Sequence, residues 1–340
     1  MTISAAIFGL SGPQLTSGEA AFFRDANPWA FILFARNIET PKQVRKLCED
    51  LRASVGRNTL IFVDQEGGRV QRLKPPHWRK LPSAATFNEL CDTNCENARR
   101  AIWLNFRLIA EELRAVGITA DCVPVLDLPV SGADQIISDR AFSPNAKIMV
   151  KLAHACIAGL TAGGVAPVIK HLPGHGRASV DSHKALPIID TPIDVLERTD
   201  FFPFIALKDA PMAMTAHVVL SAVDRDNPIT ISKTGMKEII RGTLGYDGLV
   251  MSDDLDMRAL KGDLTTLTER TLDAGCDVVL QCSGKLPAMV HVAKGLKPLS
   301  GKAAMRAVIA ENTAGHAEEF DVKSGLAEYE KLMGKTGLIS

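Results

Sequence analysis

Residues 170–183 read Lys-His-Leu-Pro-Gly-His-Gly-Arg-Ala-Ser-Val-Asp-Ser-His and bring three imidazoles, two cations and a carboxylate into one glycine-punctuated stretch. The run Val165-Ala-Pro-Val-Ile169 just before it predicts a short buried strand, so the cluster falls on the loop that leaves the strand. Histidine titrates nearest neutrality, and imidazoles concentrated on one loop suit proton transfer or metal binding. The plain alternative is a group of structurally satisfied histidines. Asp181 and His183 lie two apart, a spacing that lets a carboxylate orient an imidazole, stabilise its charged form and raise its pKa. Such a pair can act as general acid and then as general base. Its alternative is a turn aspartate beside an idle, exposed histidine. Gly174, Gly176, Ala178 and Ser179 predict a small, mobile loop suited to an acid that moves over a ligand.

A second cluster is Asp253-Asp254, directly after Gly248-Leu-Val-Met-Ser252. A carboxylate at the tip of a buried strand can attack an electrophilic carbon such as a sugar anomeric centre, hold a cation, or cap the following helix. The capping or supporting role is assigned to Asp254. Asp64, Arg72, Arg140, Lys170 and His171 are the remaining polar candidates, fitted to vicinal hydroxyls, an amide carbonyl or a carboxylate on a ligand. Arg140 reads equally well as a surface arginine, and Asp64 and Glu66 rival Asp253 as the reactive carboxylate.

These side chains need a frame. Short apolar runs at 4–9, 31–35, 59–63, 121–126, 166–170, 212–216, 248–252 and 277–281 predict eight strands. Thr40-Pro41 opens a helix with Val44, Leu47, Cys48 and Leu51 on one face, Ser143-Pro144 opens another that ends at Gly163-Gly164, and Ser232 and Gly245 bracket a third. Eight strand–helix alternations predict a single α/β domain closed as a (β/α)₈ barrel. An open doubly wound sheet would carry a glycine-rich phosphate turn after an early strand, and neither G-x-G-x-x-G nor G-x-x-x-x-G-K-[ST] is present. The polar clusters follow the C-terminal ends of the predicted strands: Arg36-Asn37, residues 64–72, Asp127, the histidine loop, His217 and Asp253. That is where barrels of this kind carry their active sites.

The 340 residues are 46% apolar and 23% charged, with acidic and basic groups equal at 39 each, the composition of a soluble globular protein with no global basic bias for nucleic acid. The N-terminus carries no positive charge ahead of its apolar stretch and is a poor signal peptide, and no apolar run reaches membrane-spanning length. The seven scattered cysteines predict reduced thiols in a cytoplasmic protein. Cys91 and Cys95 lie four apart, but no second pair completes a zinc site.

The set DQEGGRVQR at 64–72, SDRAF at 138–142, KHLPGHG at 170–176, DSH at 181–183, MTAHV at 214–218 and SDDLDM at 252–257 closely resembles the family 3 β-N-acetylhexosaminidases. Within them it is similar to the single-domain bacterial β-N-acetylglucosaminidases of cell-wall recycling. The resemblance runs from about Ala6 to about Ser283; Leu172 and Asp256 depart from the usual residues, away from any catalytic position. It implies that Asp253 is a nucleophile, that His183 is the acid/base partnered by Asp181, and that Asp64, Arg72, Arg140, Lys170 and His171 bind substrate. It further implies one catalytic barrel over 1–340 with a helical C-terminal extension, no cofactor or metal, and a monomer acting on small carbohydrates such as muropeptides. Three other readings are weighed beside it: phosphorolysis at the same site, a metal-dependent barrel hydrolase using His171, His175, His183 and an aspartate to hold zinc or a similar ion, and a catalytically silent sugar-binding or regulatory protein.

Overall fold

The computed structural model describes residues 2–334. Among the described residues ten strands form, in chain order: β1 (Ser4–Phe8), β2 (Pro28–Leu33), β3 (Ile61–Val63), β4 (Ala120–Asp121), β5 (Ala166–Leu172), β6 (Ile188–Ile189), β7 (Met212–Thr215), β8 (Val219–Leu220), β9 (Leu249–Asp254) and β10 (Val278–Gln281). Eight of them close a parallel barrel in the order β1-β10-β9-β7-β5-β4-β3-β2, while β6 and β8 pair as a separate two-stranded ribbon. The expected (β/α)₈ architecture is what the chain adopts.

The pleat explains how the barrel aims its functional groups. Alternate residues of each strand (Ile7, Ile32, Phe62, Val168, Met214, Met251 and Leu280) share one apolar cluster, and the intervening ones (Phe8, Phe31, Val63, Ile169, Ala213, Val250 and Val279) belong to the cluster that packs under the helices. The first set faces the barrel interior. Two residues further along the same parity stand Phe34, Asp64, Lys170, Asp253 and Cys282, all of which line the cavity at the C-terminal mouth.

The helices are α1 (Ser17–Ala26), α2 (Pro41–Val55), α3 (Ala84–Ala115), α4 (Ala146–Ala162), α5 (Ile193–Arg198), α6 (Phe202–Ala206), α7 (Leu264–Ala274), α8 (Leu286–Lys294), α9 (Gly301–Thr313) and α10 (Val322–Met333), with a π-helical segment at Gly235–Thr243. In α2, Thr40 accepts from the Gln43 amide, Pro41 opens the first turn, and Val44, Leu47, Cys48 and Leu51 are buried. Ser232 accepts from the Gly235 amide at 2.9 Å to start the π-helical segment. At the opposite end of the barrel, Ala307 and Ala310 of α9 join the interior cluster, and Glu311 accepts from the Trp29 indole at 2.6 Å. The segment after residue 284, which carried no motif, thus closes the barrel floor.

Four local expectations are corrected. Strand β2 starts at Pro28 rather than at 31. The predicted strand at 121–126 is cut short because Pro124 has no N–H to pair, and the chain rejoins the sheet only through a bridge between Val125 and Lys170. Asn145, whose side chain accepts from Lys147 and Ile148, caps α4 in place of Ser143. Cys91 and Cys95 are not free thiols but a disulfide: Asn94 leaves helical geometry (φ −156°, ψ 102°) and brings their Cα atoms to 3.8 Å.

Candidate active site

A cavity of about 260 Å³ at the mouth is lined by every candidate site residue except Asp181. Asp181 stands directly behind His183. Its size falls near the lower end for small-ligand pockets, which suits a single ring more than an extended chain.

The loop after β3 supplies Asp64, Glu66 and Arg72. Gln65 folds it: its amide donates to Asp121 at 2.9 Å, and its side-chain oxygen accepts from the amides of Arg72 (2.9 Å) and Leu73 (3.0 Å). The turn needs glycine at 67, where φ is +98° and a Cβ would lie 2.1 Å from the Pro82 carbonyl. Lys170 Nζ then sits between two carboxylates, 2.9 Å from Asp64 and 2.7 Å from Glu66. Arg72 completes Asp64 at 3.0 Å, and Arg140 grips both oxygens of Glu66 at 2.8 Å each. Burial alone would raise Glu66, yet Arg140 and Lys170 bring it down to about 2; Asp64 is held low in the same way by Lys170 and Arg72. Carboxylates so engaged are poor nucleophiles and poor acids. The rivalry of Asp64 and Glu66 with Asp253 is weakened accordingly, and Arg140 is no surface arginine.

Arg140→Ala should therefore destabilise the fold by roughly 3 kcal/mol, the low end for breaking a buried pair, because Lys170 remains beside Glu66. Glu66 lies below its ordinary value near 4.5 in the folded chain, so its contribution is complete above that pH and lost as pH falls toward about 2. The variant should unfold at a higher pH than the parent in an acid titration followed by circular dichroism. Coincident acid transitions would contradict this account.

Asp253 ends β9 with a different environment. One of its oxygens accepts from the Asp254 amide at 2.8 Å, and among the described residues it has no ion pair or further hydrogen bond. Burial would raise it, but His217, His171 and the Asp254 amide outweigh that and keep it below the usual carboxylate range. It is an ionised carboxylate with an uncommitted oxygen beside the cavity. Asp254 has the supporting role: it accepts from the amides of Cys282 (2.9 Å) and Asp256 (3.2 Å), and burial lifts it to about 6. It caps no helix, since Asp263 caps α7.

The histidine loop divides its imidazoles among distinct tasks. Buried Asp127 binds His171 Nδ1 at 2.6 Å and accepts from the backbone amides of His171 (3.2 Å) and His175 (2.7 Å). His171 is thereby oriented with Nε2 left over. His183 Nδ1 lies 2.8 Å from Asp181, which also accepts the His183 amide at 2.8 Å, and 64% of the His183 side chain is exposed. Burial would raise Asp181, but the His183 backbone and ring contacts lower it, so an ionised Asp181 accepts a hydrogen bond from Nδ1–H and Nε2 is the atom free to exchange a proton. His217 is structural: Nδ1 pairs with Thr230 at 2.8 Å and Nε2 with the Asp254 carbonyl at 3.0 Å, fixing the strand tip, and burial lowers its pKa against the opposing pull of Asp253. Loop closeness explains Gly176, where a Cβ would meet the Leu128 carbonyl at 1.8 Å.

Sequence reasoning missed Phe34, Arg69, Met257 and Cys282 in the lining, and the structural use of Asp121. Phe34 and Cys282 were recoverable from strand parity. Asp121 was not, because its role is to hold a loop from another strand; burial raises it to about 8. Among the described residues no three His, Cys, Asp or Glu side chains converge as metal ligands.

Residues 17–312 match the family described as glycosyl hydrolase family 3 N terminal domain. The chain is 38% identical over 278 residues, covering 81% of itself and 79% of the other, to a β-hexosaminidase of Bordetella avium. It superposes on native NagZ from Neisseria gonorrhoeae with a TM-score of 0.88 and 30% identity, covering 98% of this chain and 99% of that one. The same protein in complex with N-trifluoroacetyl-D-glucosamine gives 0.87 and 30% (100% and 99% covered), and in complex with zinc ion 0.87 and 29% (98% and 99%).

Proposed function

This chain belongs to glycosyl hydrolase family 3 and is a β-N-acetylhexosaminidase of that family, and from that premise we propose that it is a retaining exo-enzyme that removes terminal β-linked N-acetylglucosamine. The observation that carries the reading is the pairing of an exposed, carboxylate-oriented imidazole (His183–Asp181, 2.8 Å) with an ionised, uncommitted carboxylate (Asp253) beside one cavity. In the first step Asp253 attacks the anomeric carbon while His183 Nε2 gives its proton to the departing oxygen. Neutral His183 then takes a proton from water, which displaces Asp253 and restores the original anomeric configuration. Asp64, Arg72, Arg140, Lys170 and His171 bind the sugar, with the locked Lys170 ammonium as a donor to hydroxyl or amide oxygen and the free His171 Nε2 pairing with a hydroxyl.

The physiological substrates in this proposal are muropeptide fragments bearing N-acetylglucosamine on 1,6-anhydro-N-acetylmuramic acid, processed in the cytoplasm by a monomeric, single-domain enzyme. Binding of an N-acyl glucosamine by the gonococcal relative supports the sugar part. Among the described residues no helix is long and apolar enough to cross a membrane. Product analysis with and without phosphate tests the reaction: free N-acetylglucosamine should form in both, and a sugar 1-phosphate in the phosphate arm would replace hydrolysis by phosphorolysis.

Chelator treatment should leave the rate unchanged, because in this reading His183 transfers protons and His171 binds the sugar, and neither step calls on a metal ion. Loss of activity on chelation, with recovery on one divalent ion, would favour the metal-dependent reading.

A further inference from the structure

We infer that His175 is a positioning residue that latches the acid/base segment to the barrel through Ser182. The proposal rests on reading His183 as the acid/base. Asp181 and His183 sit on a loop, yet general acid catalysis requires Nε2 to stand at one place over the sugar. A displacement of about 1 Å can cost about 10²-fold in rate, so something must register this segment against the strand that carries Lys170 and His171.

Three observations identify the registering contact. His175 is anchored on the barrel side, since its amide donates at 2.7 Å to Asp127, the same carboxylate that orients His171. Its ring then reaches seven residues ahead, with Nε2 3.2 Å from the hydroxyl of Ser182, the residue between Asp181 and His183. Both side chains are nearly inaccessible, 5% exposed for His175 and 4% for Ser182, whereas His183 beside them is open to solvent. His175 Nδ1 is buried without a hydrogen-bond partner among the described residues, so Ser182 is the one hydrogen-bond partner of a ring that otherwise packs edge-on against His171. Ser182 is tied from the other side as well: its carbonyl accepts from the Ala259 amide at 3.2 Å, on the loop that follows Asp253. The contact therefore sits between the strand-five histidines, the acid/base pair and the loop beyond the carboxylate. A histidine kept neutral by burial suits this, because the latch holds one protonation state while His183 cycles between two.

The test compares His175→Ala, Ser182→Ala and His175→Gln with His183→Ala and the double variant His175→Ala/His183→Ala. Substrates are a β-N-acetylglucosaminyl disaccharide, whose leaving alkoxide needs a proton, and an activated nitrophenyl glycoside, which does not. His175→Ala and Ser182→Ala should each lower kcat/KM on the disaccharide by about 10²-fold and on the nitrophenyl glycoside by far less. His175→Gln, whose amide can reach Ser182, should recover much of the loss. In the double variant the disaccharide rate should equal that of His183→Ala, because His175 acts only through His183. Additive losses in the double variant, or equal losses on both substrates for the mild Ser182→Ala, overturn the latch. If His183→Ala itself slows both substrates equally, the acid/base reading fails and the latch with it, a result separable from the first because it appears in the single His183 variant.

Discussion

Asp253→Ala should abolish turnover of every β-N-acetylglucosaminide, activated or not, with a loss on the order of 10⁴-fold or more, the scale of removing a nucleophile. Leaving-group activation cannot rescue it, because the missing element is the group that bonds to the anomeric carbon. The substitution should leave the fold intact: Asp253 has no ion pair among the described residues, and the one hydrogen bond it accepts, from the Asp254 amide, contributes about 1 kcal/mol. Asp64 and Glu66 cannot substitute, since Lys170, Arg72 and Arg140 occupy their oxygens. A 2-fluoro sugar inactivator followed by peptide mass analysis identifies the nucleophile directly. Label on Asp253 is the expected result, and label on Asp64 or Glu66 would overturn the assignment.

The contrast between Asp253 and Glu66 shows what could be read from sequence and what could not. Both follow strand ends, both are acidic, and residue types alone left them as rivals. Their difference lies in partners 74 and 104 residues away, Arg140 and Lys170, which only the closed barrel brings to Glu66. Contacts of short range were legible: Asp181 to His183, Thr40 to Gln43, and the helix faces that follow a 3.6-residue period. The barrel was legible too, because strand parity carries interior residues such as Phe62 and Met251 into Asp64 and Asp253 at the mouth. Asp121 holding Gln65, and α9 closing the floor, were hidden because each joins segments distant in sequence through groups with no distinctive spacing. The Cys91–Cys95 bridge was missed for another reason: four residues of regular helix would hold the two sulfurs apart, and the break at Asn94 that unites them has no sequence signal beyond one asparagine.

His183→Ala should cost in proportion to how much the leaving group needs a proton. A disaccharide alkoxide leaves poorly, so the first step should slow by about 10²–10⁴-fold, the range of general acid catalysis. A nitrophenolate departs unaided, so that step should change little with the activated substrate. Water still needs a base in the second step, which then becomes limiting: phenolate should appear in an initial burst, and KM should fall as the glycosyl-enzyme accumulates. Azide needs no deprotonation, so it should restore turnover and yield the β-azide, its configuration reporting attack on the intermediate from the face the leaving group vacated. Asp181→Asn should show the same pattern more mildly, because the imidazole remains while the carboxylate that orients Nδ1 and stabilises the charged ring is gone. The exposure of His183 makes azide access plausible on steric grounds, since 64% of the side chain faces solvent in the parent. Equal slowing of both substrates, without burst or azide rescue, would mean that proton transfer in this site belongs to another group, and the unpaired oxygen of Asp253 would then have to be matched with a different acid at the same mouth.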